Sequence, residues 1–168
     1  PATAVAYTQW SAAVTLGGGG RLLPDTRREG IVTLGLRADV LFGARDPMAA
    51  RVGPFAAAWT EDFDTLLAAA GVSVLAPVSS TTPLVFSAGV AWAPVDAAES
   101  SPPVGLLGRV WWGSRSVNLH ASYGMAVGLW LETRWMPASN SVDVLAGLDA
   151  DIAFLSIPAV LLWNWLTR

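Results

Sequence analysis

The stretch VDVLAGLDADIAF, residues 142–154, decides the fold because its side chains alternate between two unlike sets. Every residue at an even position is apolar, whereas Asp143, Asp149 and Asp151 all occupy odd positions. Successive side chains of a β-strand point to opposite faces, so alternation with a period of two predicts a strand. One face of this strand is apolar and the other carries charge.

The same alternation recurs in seven further segments of the chain. They span residues 4–16, 32–42, 51–61, 65–76, 84–92, 104–115 and 125–135. In the third of these the facing is undecided, because Phe55 and Trp59 share parity with Glu61. Stretches rich in Gly, Pro, Asp and Ser separate the segments and are typical of turns. The chain is therefore predicted to be all-β, with eight antiparallel strands.

The composition excludes several classes of function. The 168 residues are 53% hydrophobic and only 14% charged, against about 25% charge in a soluble domain. A net charge of −3 argues against a nucleic-acid partner. The chain has no Cys and only one His, His120, which excludes disulfides and multi-histidine metal sites. Prolines interrupt the longest charge-free stretch, residues 65–95, so membrane-spanning helices are not supported.

The composition of the second face indicates which face is enclosed. That face is rich in Gly, Ala and Ser, whereas a water-facing surface carries about a quarter to a third charged residues. Its charges nearly balance, which predicts a lumen in which opposite charges pair. The predicted lumen network comprises Arg37, Asp39, Arg109, Arg115, Glu132, Arg134, Asp143, Asp149 and Asp151. Asp143, Asp149 and Asp151 also offer oxygen ligands to a hard cation. Pairing with Arg109 and Arg134 across the lumen is favoured instead, because the arginines are present in matching number. No metal and no cofactor are predicted.

The apolar face points to a lipid environment. It carries Trp92, Trp112 and Trp135 near strand ends, where the aromatic girdles of membrane barrels lie. A bilayer offers no water to backbone groups, so a sheet that spans it must close on itself. We therefore predict an eight-stranded antiparallel transmembrane β-barrel, an up-and-down meander with a narrow lumen filled by side chains. A soluble barrel that binds a lipophilic ligand, with its faces reversed, is the alternative.

In this pattern the chain resembles the small eight-stranded outer-membrane barrels of the outer membrane protein A or X type. The resemblance implies a Gram-negative outer membrane, assembly by the barrel-insertion machinery and a secretory signal that is removed, in agreement with a first residue, Pro1, that is not Met. We predict a non-enzymatic structural, anchoring or assembly component of the cell envelope. Outer-membrane lipids, lipopolysaccharide and other envelope proteins are the expected partners.

The C-terminal tail departs from that family, whose members usually end on a strand with an aromatic last residue. A single domain, residues 1–168, is predicted, with strands over about residues 3–155 and a tail over residues 156–168. The tail lacks alternation, and Pro158 suits the first turn of a helix. We expect a short apolar helix that lies at the interface or plugs the barrel. The small lumen residues that leave room for a plug or a ligand are Gly35, Ala69, Gly71, Gly89, Gly113, Gly128 and Gly147.

An enzymatic alternative depends on His120, Ser122 and Glu132. A serine, a histidine and an acid suffice for acyl transfer, and the set resembles that of outer-membrane lipid A deacylases, whose triad faces lipid. Here an outward triad also places Arg134, which has the same parity, in lipid at a cost of about 2 to 4 kcal/mol at mid-depth. The chain is therefore predicted not to be an enzyme.

Residues 17–29 are expected to form a long loop that joins the first two strands. Its run of four glycines would supply flexibility, and Arg21, Arg27 and Arg28 would be solvated or contact lipopolysaccharide phosphates. If both termini face the periplasm, this loop, residues 95–103 and residues 137–141 are extracellular.

Overall fold

The computed structural model describes residues 7–25, 27–93, 104–114, 126–152 and 163–167. The strands are β1 (Tyr7–Leu22), β2 (Arg28–Gly43), β3 (Arg51–Glu61), β4 (Thr65–Pro77), β5 (Pro83–Trp92), β6 (Val104–Ser114), β7 (Val127–Met136) and β8 (Ser141–Asp151). Each strand pairs antiparallel with the next, and β1 pairs with β8 to close the barrel. The predicted all-β fold, a closed barrel of eight antiparallel strands, is confirmed.

The up-and-down order gives the barrel two distinct ends. At one end β1 begins, β8 ends, and residues 44–50 and 78–82 connect strands; we call this the terminal end. At the other, the turn end, the connections include residues 23–27, 62–64 and 137–140. Connections that alternate along the chain must lie at opposite ends because successive strands are antiparallel.

Two short connections at the turn end use left-handed backbone. Asp62 (φ 49°) and Phe63 (φ 62°) join β3 to β4, and Asn140 (φ 46°) precedes β8. Positive φ occurs in tight hairpin connections because it matches the twist of the flanking strands. Asp and Asn tolerate this region, whereas a bulky aromatic residue rarely adopts it. The neighbouring strand β2 also stabilises this turn, since the Asp62 carboxylate accepts a hydrogen bond from the Val32 amide at 2.9 Å.

The loop predicted over residues 17–29 is wrong. Residues 17–22 continue β1 and pair with both β2 and β8, so the connection is only residues 23–27. The glycines serve close packing, not flexibility: a Cβ on Gly17 would overlap the Trp130 ring, and one on Gly19 would overlap the Val144 carbonyl. Four successive glycines show no alternation, so the sequence pattern could not reveal this part of the strand.

The faces of the barrel have the predicted sidedness. Large apolar side chains cover the outside; exposed examples are Leu16, Leu34, Leu36, Val72, Leu106, Leu129, Leu131 and Leu148. Buried charges lie inside, which is the reverse of a soluble carrier with a charged exterior. The undecided segment is now resolved, since Phe55, Trp59 and Glu61 all point into the barrel.

Apolar side chains fill much of the interior, in two clusters. One cluster comprises Phe55, Trp59, Leu67, Ala69, Ala91 and Leu107; the other comprises Ile31, Leu41, Leu75, Val85, Trp111, Trp130 and Leu145. The room expected at the lumen glycines is occupied, because Gly113 and Gly128 lie against the Trp111 ring and Gly147 lies against Trp130. Indole rings therefore take the space that a plug or ligand would need at these positions.

The last strand ends at Asp151, earlier than the predicted boundary near residue 155. Residues 163–166 form a helical turn, in which the Thr167 amide donates to the Trp163 carbonyl at 3.1 Å. Trp163, Trp165 and Leu166 are exposed, so the described part of the tail does not plug the lumen. No helix in the described part of the chain has the length and apolar character needed to cross a membrane.

Candidate functional site: the ionic network of the lumen

The largest polar feature of the lumen is a network centred on Arg134. Its Nε donates to Glu132 Oε1 at 2.8 Å, and its Nη1 donates to Glu61. Glu132 also accepts a long bond from Arg109 Nη1 at 3.4 Å, and Arg109 Nη2 donates to Asp149 at 2.5 Å. All five side chains are buried. Opposite charges therefore neutralise one another inside the barrel, which is how buried charge is tolerated.

Arg21 extends this network toward the turn end. It donates to both Asp143 oxygens, from Nε at 2.8 Å and from Nη2 at 2.9 Å, and to Glu61 Oε2 at 2.9 Å. Its side chain is 27% exposed, whereas both carboxylates are buried. Sequence reasoning missed Arg21 and Glu61, because one fell in the predicted loop and the other in the segment of undecided facing.

Strand register brings the network together. Arg109 of β6 lies directly opposite Glu132 of β7, and Arg134 of β7 lies opposite Asp143 of β8. Arg21 of β1 faces Asp143 from the other side. Directly opposed side chains on one face of an antiparallel pair are close enough to interact. The network therefore connects β6, β7, β8 and β1 across the closure of the barrel.

A second polar cluster surrounds Arg37. Arg37 makes a bidentate pair with Asp39, at 2.7 and 2.8 Å, and donates to Ser73 and Ser87 at 2.9 and 2.7 Å. Ser73 in turn donates to Asp39 Oδ1 at 2.6 Å. This cluster joins β2 to β4 and β5. The serines were not predicted, since a buried serine and a solvent-facing serine look alike in a sequence.

Aromatic rings complete the surroundings of three arginines. The guanidinium carbon lies 4.3 Å from the Phe55 ring centroid for Arg37, 4.4 Å from Trp130 for Arg109 and 4.7 Å from Trp59 for Arg134. A planar guanidinium can stack flat on a ring while its edge donates to carboxylates, whereas a lysine ammonium has no planar face or edge. The rings also link the polar network to the apolar clusters of the lumen.

The remaining predicted network residues have different outcomes. Asp151 is buried at the terminal end of β8. Arg115, His120 and Ser122 lie outside the described residues. Glu132, the acid of the enzymatic alternative, points into the lumen and accepts bonds from two arginines. An outward-facing triad that includes Glu132 is therefore wrong. Among the described residues, no group of three or more His, Asp or Glu side chains is arranged to hold a metal ion.

The three predicted girdle tryptophans lie on the outer face. Trp92 and Trp135 are near the turn end, and Trp112 is near the terminal end, where Trp10 and Phe42 are also exposed. Aromatic side chains thus flank the apolar exterior at both ends. In the short connection between β1 and β2, the exposed Arg27 and Asp25 pair with each other, and Arg28 begins β2 with an exposed side chain.

Few known proteins are similar to this chain. No family model matches the chain, and no curated protein matches it. Among solved structures, one described as de novo design of transmembrane beta-barrels is 10% identical and has a TM-score of 0.45; the match covers 84% of this chain and 95% of that one. The solution NMR structure of de novo designed TMB2.3 is 15% identical, with a TM-score of 0.44, over 84% of this chain and 94% of that one.

Proposed function

We propose that this protein is a non-enzymatic barrel of a bacterial outer membrane, where it acts as a structural, anchoring or assembly component of the envelope. One observation carries the proposal: the outer face of the closed barrel is apolar, while buried arginines and carboxylates pair inside it. Exposing such a surface to water is unfavourable, whereas acyl chains solvate it. Closure also leaves no unpaired sheet edge in the bilayer.

The filled lumen supports a structural role over transport. Buried indole rings, apolar side chains and arginine–carboxylate pairs occupy the interior. Eight-stranded barrels have an interior just wide enough for side chains to fill. The surfaces available to envelope partners are then the ends of the barrel and its outer wall, with membrane lipids and lipopolysaccharide around it.

The location is tested by expressing the chain with a secretion signal in a Gram-negative host and separating the membranes. We expect the protein in the outer-membrane fraction, with faster migration before heating than after it, because a folded barrel resists detergent. A monomer that stays folded in buffer without detergent would instead support the soluble carrier.

The absence of enzymatic activity is tested separately on lipid A. We expect mass spectrometry of lipid A to show the same acylation in cells with the wild-type protein, with Ser122→Ala and with no protein. Loss of an acyl chain that requires Ser122, in a variant that still folds, would contradict the proposal.

A further inference from the structure

Arg51, at the terminal end of the lumen, is the exception to the pairing of charges. It begins β3, and its side chain is as well buried as those of Arg37 and Arg109, with the residue 5% exposed. Arg37 and Arg109 each contact a carboxylate directly. Within the described ranges Arg51 makes no ion pair.

The contacts that Arg51 does make leave much of the guanidinium unsatisfied. Its Nη2 donates to the Asp46 carbonyl over 3.4 Å, a long and therefore weak bond, and Nε has no acceptor. The Tyr7 ring lies 5.2 Å from the guanidinium carbon, and Gly43 leaves space for the aliphatic stem. A ring and one distant carbonyl stabilise the charge only in part.

A buried cation without an anionic partner is costly, and proteins seldom retain one. Arg109 keeps its charge inside the same barrel because two carboxylates surround it. Among the described residues, the Asp46 carboxylate attracts Arg51 only from beyond ion-pair distance. Since guanidinium keeps its proton at ordinary pH, an anion from outside the described residues would supply the compensation that Asp46 gives only at longer range.

We propose that Arg51 is an oxyanion-binding site at the terminal end of the barrel and that its ligand is a phosphate group. Nε and the adjacent Nη2 form the planar edge that binds a phosphate through two parallel hydrogen bonds. The low exposure of Arg51 restricts the ligand to a single oxyanion group that enters at the mouth. Such a group could be free phosphate or a lipid headgroup at the membrane surface. The site does not depend on the proposed envelope role.

The test measures unfolding of the full chain by urea in maltoside micelles, which contain no phosphate, with tryptophan fluorescence as the readout. Inorganic phosphate is added at constant ionic strength, with chloride as the reference anion. A parallel series uses short-chain phosphatidic acid, with the matching diacylglycerol as its uncharged control. We expect a saturable rise of the urea midpoint in the wild-type protein.

Two variants with the same net charge show whether the rise of the urea midpoint depends on Arg51. Arg51→Met should abolish the rise, whereas Arg45→Met, which removes an exposed arginine from the connection before β3, should retain it. Arg51→Lys keeps the charge but loses the planar edge, so it should respond only at several-fold higher phosphate. If Arg51→Met does not fold, Arg51→Lys alone tests whether the guanidinium is needed for the response to phosphate.

The outcomes are distinct. A shift with phosphatidic acid alone identifies a lipid headgroup as the ligand, and a shift with inorganic phosphate alone identifies the free ion. Absence of a shift with both, or an equal shift in Arg51→Met, would overturn the proposal.

Discussion

The two faces of β7 place neighbouring residues in opposite environments. Leu131 is 56% exposed on the outer wall, whereas Glu132 is 4% exposed and bonded to two arginines. In a water-soluble protein these two exposures would be reversed. Along β7 the apolar side chains therefore lie outside and the charged side chains lie in the lumen, which supports the proposed membrane location.

The largest expected effect on the free energy of unfolding comes from removing the ion pairs of Arg134 in the lumen. We expect Arg134→Met to lower the free energy of unfolding by about 3 to 5 kcal/mol, because Glu61 and Glu132 stay buried with less compensation. Urea titration of the refolded barrel measures this. The double variant Arg134→Met with Glu132→Leu should recover part of the loss, since it removes an uncompensated carboxylate. A loss below about 1 kcal/mol in the single variant would mean that the network contributes little.

The outer face is probed by introducing a charge at two depths. Leu131→Arg, in the middle of β7, should lower the free energy of unfolding in lipid vesicles by about 2 to 4 kcal/mol. Val104 is the first residue of β6 and pairs with Trp92 of β5. Val104→Arg should lower the free energy of unfolding by only about 0 to 1 kcal/mol. Equal costs at both positions would contradict a bilayer around the barrel.

The packing of the lumen is tested at Gly17. We expect Gly17→Ala to lower the free energy of unfolding by about 1 to 3 kcal/mol, because the added methyl group overlaps the Trp130 ring. Gly30→Ala is the matched control, since a Cβ there meets no atom within 4 Å. Chemical denaturation measures the free energy of unfolding of both variants. Equal values for the two would contradict the packing argument.

The smallest effect is expected at the turn end, outside both faces. Phe63 is 72% exposed and has positive φ, so the turn gains little from its ring and bears the cost of its Cβ. We expect Phe63→Gly to raise the free energy of unfolding by about 0.5 to 1 kcal/mol. Phe63→Ala, which keeps the Cβ, should show no gain in the same titration.

The network of the lumen was only partly predictable. Alternation placed Arg37, Arg109 and Arg134 on the enclosed face, because parity along a strand is readable from the sequence. The matching numbers of charges predicted that Arg109 and Arg134 pair with Asp143, Asp149 and Asp151, and Arg109 does pair with Asp149. Which aspartate meets which arginine was not predictable, since it depends on register between strands. Arg21 was missed because the glycines before it carry no side-chain pattern. The lack of an ion pair at Arg51 among the described residues depends on which strands surround it, and parity along one strand does not show that.

The sequence by itself determined the all-β fold, the number of strands and the sidedness of the barrel, because each follows from local alternation and from a composition too poor in charge for a water-facing surface. Only the tertiary structure decided which arginine meets which carboxylate, which glycines accommodate indole rings, and that Arg51 lies near the Tyr7 ring but makes no ion pair with a described carboxylate. These are distances between strands far apart in the chain, and they are set only when β8 pairs with β1 and fixes the register around the barrel.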